Sequence, residues 1–144
     1  MKVKSLGHVV LKVSDRKRAE DFYNGLLGLP IVARFEEYNM SFFSLGNHHD
    51  FAVAEVGSDA AHPDKNGIGL EHVAFYIGDT IDDLKAAKAE LEAAGIEVQP
   101  VDHDVTKSLY FHDPDGNQLE VYIDVSDKWR RDPQLIAQAT PLEL

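Results

Sequence analysis

Apolar and polar residues alternate along short stretches of the chain, and one longer stretch has apolar residues at helical spacing. Residues 5–13 alternate in the way typical of a strand. Residues 16–27 carry the helical spacing, the pair Ser14-Asp15 supplies an N-cap, and Gly28 ends the helix. Three further short strands are predicted, at about 30–36, 40–45 and 49–56.

The same pattern begins again after a polar loop at residues 57–69. Residues 70–79 repeat residues 6–15, with Leu, His, Val and Asp at identical places. A second helix is predicted from about residue 81 to 94, capped by Asp79 or Thr80 and ended by Gly95. This repetition indicates an internal duplication of a βαβββ unit.

The last two strands of the second unit flank a strong turn, residues 113–117, of sequence Asp-Pro-Asp-Gly-Asn. Glu120 lies within the apolar run that follows, where a carboxylate is rarely buried without a partner. We therefore predict an α+β fold of two tandem βαβββ modules that form a curved mixed sheet around a metal-binding cleft. A single domain, 1–144, is expected to contain module 1 (about 5–56), module 2 (about 69–124) and a C-terminal tail (125–144).

Composition narrows the classes of function. The 144 residues include no cysteine, which excludes disulfides, thiolate metal sites and cysteine nucleophiles. A net charge of -11 argues against nucleic acid and acidic membrane surfaces as partners. With no apolar leader or long apolar run, we expect a cytoplasmic protein that does not bind membranes. Short strands with exposed edges lead us to expect a homodimer.

Three residues form a candidate metal site. The duplication places His8 and His72 at equivalent points on the first strand of each module, and Glu120 comes from the last strand. Each histidine alone is more often a structural residue, but the repetition favours ligation for the set. Two imidazoles and one carboxylate form a facial triad that leaves open positions on the metal and suits non-haem Fe(II).

With these motifs the chain resembles the vicinal oxygen chelate superfamily, which includes glyoxalase I, fosfomycin resistance proteins and extradiol catechol dioxygenases. The resemblance covers residues 5–124 and rests on the paired modules and on the Asp-Pro-Asp-Gly-Asn-x-x-Glu ending. The paired modules and that ending are specific for the superfamily and less so for any one activity.

The resemblance also assigns roles to Tyr110 and His103. A tyrosine ten residues before the glutamate lies near the catechol oxygens in extradiol enzymes, although fosfomycin-type sequences share it. A histidine seven residues earlier, at the place of His103, is typical of catechol 2,3-dioxygenases and can hydrogen-bond the substrate. Otherwise Tyr110 is an ordinary strand aromatic and His103 a loop histidine.

His49 matches the segment in which extradiol enzymes keep their acid/base histidine. Catechol deprotonation requires a base of this kind. Strict alternation, however, places His48 and Asp50 on the face equivalent to Glu120, with His49 opposite. Asp50 would then be a fourth ligand, as in glyoxalase I, unless the strand starts late or carries a bulge.

The resemblance implies an Fe(II)-dependent extradiol dioxygenase of aromatic hydrocarbon catabolism, with Mn(II) as an alternative metal. Its substrates would be dioxygen and a small aromatic diol such as 2,3-dihydroxybiphenyl. The alternative is a glyoxalase-like lyase or isomerase, or a fosfomycin-type thiol transferase. Many extradiol enzymes carry a second pair of modules, which this chain does not contain.

Overall fold

The computed structural model describes residues 1–64 and 66–144. The chain divides into two compact units, residues 1–63 and 64–144, and each contains helix and mixed sheet. The predicted α+β class with two modules is confirmed. Within the described residues, the structure has no helix long and apolar enough to cross a membrane.

The first unit has the predicted βαβββ order. Its elements are β1 (Val9–Val13), α1 (Arg16–Glu20) continuing as a π-helix (Asp21–Leu26), β2 (Ile31–Phe35), a short 3₁₀ turn (Glu36–Tyr38), β3 (Met40–Phe43) and β4 (Phe51–Glu55). The strand order is β1-β4-β3-β2, with β1 and β4 parallel and the other pairs antiparallel. The sheet is therefore mixed, as predicted.

The helix begins and ends where the sequence predicted. The Asp15 side chain accepts the Arg18 backbone N–H at 2.7 Å, and Gly28 follows the last turn with φ of 73°, a conformation that glycine adopts without steric cost. The second half of the helix, Asp21–Leu26, is π-helical rather than α-helical, and the Leu27 N–H donates to the Phe22 carbonyl at 3.0 Å.

Aromatic rings join this helix to its sheet. Tyr23, Phe43 and Phe51 are fully buried, and the ring of Phe51 lies 4.7 Å from that of Tyr23 and 5.7 Å from that of Phe43. These spacings are those of favourable aromatic pairs. The helix is thereby fixed against β3 and β4, the strands that flank the loop containing His48 and His49.

A buried carboxylate stabilises the same unit. Glu20 accepts two hydrogen bonds from the Arg34 guanidinium, at 2.8 and 2.9 Å, and one from the Ser41 hydroxyl. The Arg34 hydrogen bonds hold the pKa of Glu20 below its ordinary value of 4.5, although burial opposes them.

The substitution Glu20→Gln is expected to lower the free energy of unfolding by about 1–3 kcal/mol at neutral pH, because charge-assisted hydrogen bonds are lost. A lowered pKa means that the stabilisation is present above pH 4.5 and disappears as pH falls through the native value, so the difference should shrink in acid. Urea unfolding measures this difference in the free energy of unfolding.

Asp21→Asn, which removes an exposed ion pair with Lys17, is the control and should change the free energy of unfolding little. An unchanged urea midpoint for Glu20→Gln at pH 7 would contradict this account.

The second unit repeats the order and adds a strand. Its elements are β5 (Val73–Gly78), α2 (Ile81–Ala93), β6 (Gln99–Asp102), β7 (Thr106–His112), β8 (Gln118–Asp124), two 3₁₀ turns (Lys128–Arg130 and Pro133–Ala137) and β9 (Thr140–Pro141). The strand order is β5-β8-β7-β6-β9. Thr80 and Asp83 form a capping box at the start of α2, so Thr80 is the cap.

The duplication extends to strand register. In the first unit Val9 pairs with Phe51 across the parallel strands β1 and β4. In the second unit Val73 pairs with Leu119 across β5 and β8, which are also parallel. His8 and His72 each immediately precede the first residue of these pairs, so their positions in the two units are equivalent.

The tail joins the second sheet. Strand β9 pairs with β6 through Val101 opposite Pro141 and Asp102 opposite Thr140, which the sequence did not predict. A 3₁₀ turn at Pro133–Ala137 precedes this strand in the tail. The segment before β9 therefore lies near the β6–β7 connection that carries His103.

The homodimer stays a prediction. Strand β2 lies at the edge of the first sheet, and four of its five residues are exposed. An exposed strand edge is a common pairing site for a second copy. We expect a dimer mass by light scattering at micromolar concentration, and a monomer mass would contradict it.

Candidate metal centre

Two of the three predicted ligands meet within the second unit. His72 directly precedes β5, and Glu120 lies on the adjacent parallel strand β8 opposite Ala74. The His72 Nε2 and Glu120 Oε2 atoms are 3.1 Å apart. Two neighbouring octahedral ligands at about 2.1 Å from a metal would be about 3.0 Å apart, so this pair fits a shared ion.

Neighbouring side chains orient both groups. Glu71 contacts Nδ1 of His72, and a carboxylate can only accept, so Nδ1 is the donor and Nε2 is the nitrogen that faces Glu120. The Ser108 hydroxyl donates to Oε1 of the buried Glu120 carboxylate, leaving Oε2 towards His72. Gln118 supports the arrangement by donating to Glu71 at 3.3 Å. Such outer partners are usual around metal-binding histidines and carboxylates.

Tyr110 and His103 lie beside this pair. Tyr110 is directly opposite Glu120 across β7 and β8, and its hydroxyl is 3.1 Å from Nε2 of His103. Nδ1 of His103 donates to the Gln138 carbonyl, so Nε2 is the acceptor for the tyrosine hydroxyl. Burial, followed by the negative charge of Glu120, raises the pKa of Tyr110. Tyr110 therefore stays a neutral donor throughout the physiological range.

A cavity of about 490 Å³ opens on these groups. His72, His103 and Tyr110 line its polar side, and Val98 and Val101 contribute apolar surface. Its volume is that of a small-molecule site. Every lining residue belongs to the second unit.

Histidines also gather in the first unit. The ring of His8 lies 4.2 Å from that of His49 and 6.4 Å from that of His48, by centroids. Desolvation, followed by the charges of His8 and His48, lowers the pKa of His49. Strand β4 begins only at Phe51, so the alternation that placed His49 on the opposite face does not extend to it.

Asp50 closes a turn. Its Oδ2 accepts the backbone N–H of Leu45 at 2.6 Å and, more weakly, that of Asn47 at 3.4 Å. Ala52 is the counterpart of Glu120 in the first unit. Val10 pairs with Ala52 across β1 and β4, as Ala74 pairs with Glu120 across β5 and β8. The first module therefore has no carboxylate at that position.

Comparisons with known proteins agree with this architecture. The family model described as Glyoxalase/Bleomycin resistance protein/Dioxygenase superfamily matches residues 5–121. The chain belongs to this superfamily. The resemblance proposed from the sequence, which is the same superfamily, is thereby confirmed.

Superfamily relatives include more than one activity. Biphenyl-2,3-diol 1,2-dioxygenase 2 of Rhodococcus globerulus is 37% identical over 120 residues, covering 81% of this chain and 61% of the relative. Glutathione transferase FosA of Serratia marcescens is 27% identical and covers 84% of this chain and 82% of the relative. The chain thus spans about three fifths of the dioxygenase.

A solved structure shows the same superfamily fold. The glyoxylase/bleomycin resistance protein/dioxygenase domain from Frankia sp. EAN1pec has a TM-score of 0.70 at 22% identity, covering 85% of this chain and 99% of that one. At this identity the likeness shows the fold alone.

The predicted site residues of this superfamily member thus fall into two groups, one in each unit. In the second unit His72 contacts Glu120 and Tyr110, and Tyr110 contacts His103. His8 and His49 are together in the first unit. That His8 shares a metal with His72 and Glu120 stays a prediction.

Sequence reasoning missed two residues that orient the proposed ligands, Glu71 and Ser108. Glu71 adjoins a predicted ligand, and Ser108 lies two residues before Tyr110, on the same face of β7. That shared face was a usable signal for Ser108.

Proposed function

We propose that this chain is an Fe(II)-dependent extradiol dioxygenase that opens the ring of a catechol such as 2,3-dihydroxybiphenyl. The observation that carries the proposal is the His72–Glu120 pair beside the hydrogen-bonded His103 and Tyr110. Of these residues, His72, His103 and Tyr110 line one cavity. The 37% identity to a biphenyl-2,3-diol dioxygenase supports the same reaction class.

His8, His72 and Glu120 would hold the metal. The 3.1 Å approach of His72 to Glu120 and the partners that orient them fit an imidazole–carboxylate donor set. His8, at the equivalent position of the first unit, would be the third donor. A bound Fe(II) would supply a chelation point for both diol oxygens and a route for electrons between the diol and dioxygen. Mn(II) accepts the same donors.

The remaining residues handle protons and orientation. His49 would accept a proton from a catechol hydroxyl and return it during ring opening. His103 and Tyr110 would hydrogen-bond substrate oxygens, because their side chains line the cavity that contains His72. Both atoms of dioxygen enter the product, so the reaction requires no external reductant.

The walls of the cavity suit an aromatic substrate. Val98, Val101 and Phe111 provide apolar surface, and a volume of about 490 Å³ accommodates one or two rings. We infer that the ring packs against these residues while its hydroxyls point towards His72.

A thiol transferase of the fosfomycin type is the second candidate, favoured by the 82% coverage of the Serratia marcescens enzyme. A phosphonate substrate would require cationic partners. Among the described residues that line the cavity, none is Lys or Arg, whereas Glu71 and Glu97 are present. The ammonium of Lys107, on strand β7, is 2.5 Å from the Asp102 carboxylate. This charge pattern favours a neutral diol.

A glyoxalase-like activity is also less well supported. In glyoxalase I the first module supplies a carboxylate ligand, whereas Ala52 occupies the position equivalent to Glu120 here. Asp50, the alternative donor, accepts turn N–H groups instead.

One activity panel tests the reaction class. The protein, loaded anaerobically with Fe(II), is offered a catechol series in air, fosfomycin with glutathione, and the hemithioacetal of methylglyoxal. We expect yellow ring-opened product from at least one catechol and no turnover in the other assays. Turnover of fosfomycin or of the hemithioacetal, without ring opening, would overturn the proposal.

Tyr110→Phe is expected to lower turnover about tenfold, because one hydrogen bond of about 1–1.5 kcal/mol to the reacting oxygens is lost. Iron content should be unchanged, since the hydroxyl is not a proposed ligand. Tyr122→Phe, on the neighbouring strand β8, is the matched control and should be silent. Equal rates for both variants would remove Tyr110 from the proposed site.

A further inference from the structure

Three imidazoles converge within the first unit. His8 directly precedes β1, and His48 and His49 lie in the loop between β3 and β4. The Val9 N–H donates to the Asp50 carbonyl at 3.2 Å, which brings the start of β1 beside this loop. One ring nitrogen from each of the three histidines lies within 4.8 Å of the others.

The loop orients His48 for ligation. Oδ1 of Asn47 is 3.0 Å from Nδ1 of His48, and an amide oxygen can only accept, so Nδ1 carries the proton. Nε2 is therefore the free lone pair. An outer partner that fixes the tautomer in this way is typical of metal-binding histidines.

The donor chemistry selects the metal. Three neutral imidazoles suit zinc and other borderline transition metals and are poor ligands for Mg²⁺ and Ca²⁺. Ligands at about 2.05 Å in a tetrahedral site are about 3.4 Å apart, so closure needs ring movements of the order of 1 Å. His8 and His48 are exposed, and rotation of their side chains can supply that movement.

We propose that His8, His48 and His49 form a second divalent-metal site in the first unit, which takes Zn²⁺ with a fourth position open to water. One consequence rests on the proposed function. With Zn²⁺ bound there, His8 is withdrawn from the iron and His49 from proton transfer, so Zn²⁺ acts as an inhibitor that competes with assembly of the catalytic centre.

Zinc binding is measured without reference to turnover. A full-length His72→Ala/Glu120→Ala variant lacks the other proposed ligands and is titrated with Zn²⁺ against a chromophoric chelator. We expect one Zn²⁺ per chain. Adding His48→Ala should weaken binding about 100-fold, and adding Asn47→Ala about tenfold. His62→Ala, which removes a loop histidine outside the cluster, should leave the affinity unchanged.

Undiminished zinc affinity in the His48→Ala background would overturn the proposal, as would the same loss in the His62→Ala control. Because His48→Ala alters only an exposed side chain, its fold can be checked by circular dichroism in the otherwise unaltered protein. Zinc titration of the unaltered protein and of its His48→Ala variant then gives a second, independent measurement of zinc affinity.

Inhibition of ring cleavage by Zn²⁺ tests the zinc site and the proposed reaction separately. His48→Ala should retain ring cleavage. The Zn²⁺ concentration that inhibits it should be about 100-fold higher than for the unaltered protein. Equal inhibition of the two proteins would overturn the second site. A protein that binds zinc through His48 yet opens no catechol ring would contradict the proposed function and leave the zinc site standing.

Discussion

Glu120→Ala is expected to abolish iron binding and ring cleavage. The carboxylate is buried and lies 3.1 Å from the His72 Nε2 atom, and Ser108 orients its other oxygen. Loss of an outer partner alone lowers metal affinity 10–100-fold, so loss of the ligand should cost at least about 100-fold. Iron content after gel filtration measures the effect.

Two further variants make the Glu120 result specific. Glu97→Ala removes a carboxylate that lines the cavity beside His72 and should retain iron. Ser108→Ala should weaken iron binding by about 10–100-fold, as expected for an outer partner. Full iron retention in Glu120→Ala would exclude the proposed centre.

His49→Gln is expected to keep iron and catechol binding while turnover falls by about 10²–10⁴, the usual contribution of general acid–base catalysis. His49 lies against His8 in the loop before β4, beside a proposed ligand. Single-turnover rates with iron content measured on the same samples test this expectation.

Asp50→Asn distinguishes the two alternatives for this loop, in which either His49 is the acid/base or Asp50 is a metal ligand. Oδ2 of Asp50 accepts turn N–H groups, and an amide oxygen can accept the same bonds. We therefore expect Asp50→Asn to keep iron and most of the activity. A silent His49→Gln together with iron loss in Asp50→Asn would instead make Asp50 a ligand and leave the reaction without its base.

Most of the fold was predictable because the signals are local. The caps at Asp15 and Thr80, the glycines that end both helices, and the repeated first strand all reside in contiguous sequence. Strand boundaries were less accurate. Residues 5–8 alternate like a strand, but β1 begins at Val9, where its pairing with β4 begins. Strand β9 was missed because two residues in a proline-containing tail pair with β6, about forty positions away.

The candidate site was predictable as far as repetition and resemblance extended. The duplication singles out His8 and His72, and the apolar run around Glu120 singles out that carboxylate. Tyr110 lies opposite Glu120, as its spacing across the turn implied. The partners that orient these groups were not predicted. The contact of Glu71 with Nδ1 of His72 depends on side-chain conformation, which the sequence pattern does not give. The Gln138 carbonyl accepts from His103 only because the tail folds back onto the second sheet.

Oxygen uptake by the Fe(II)-loaded protein with 2,3-dihydroxybiphenyl and simpler catechols tests whether iron held by His8, His72 and Glu120 supports ring cleavage. We expect one dioxygen consumed per diol, a yellow ring-opened product, and loss of both signals in His8→Ala, His72→Ala and Glu120→Ala. Stoichiometric iron bound through these three residues, with no oxygen uptake for any diol, would contradict this expectation.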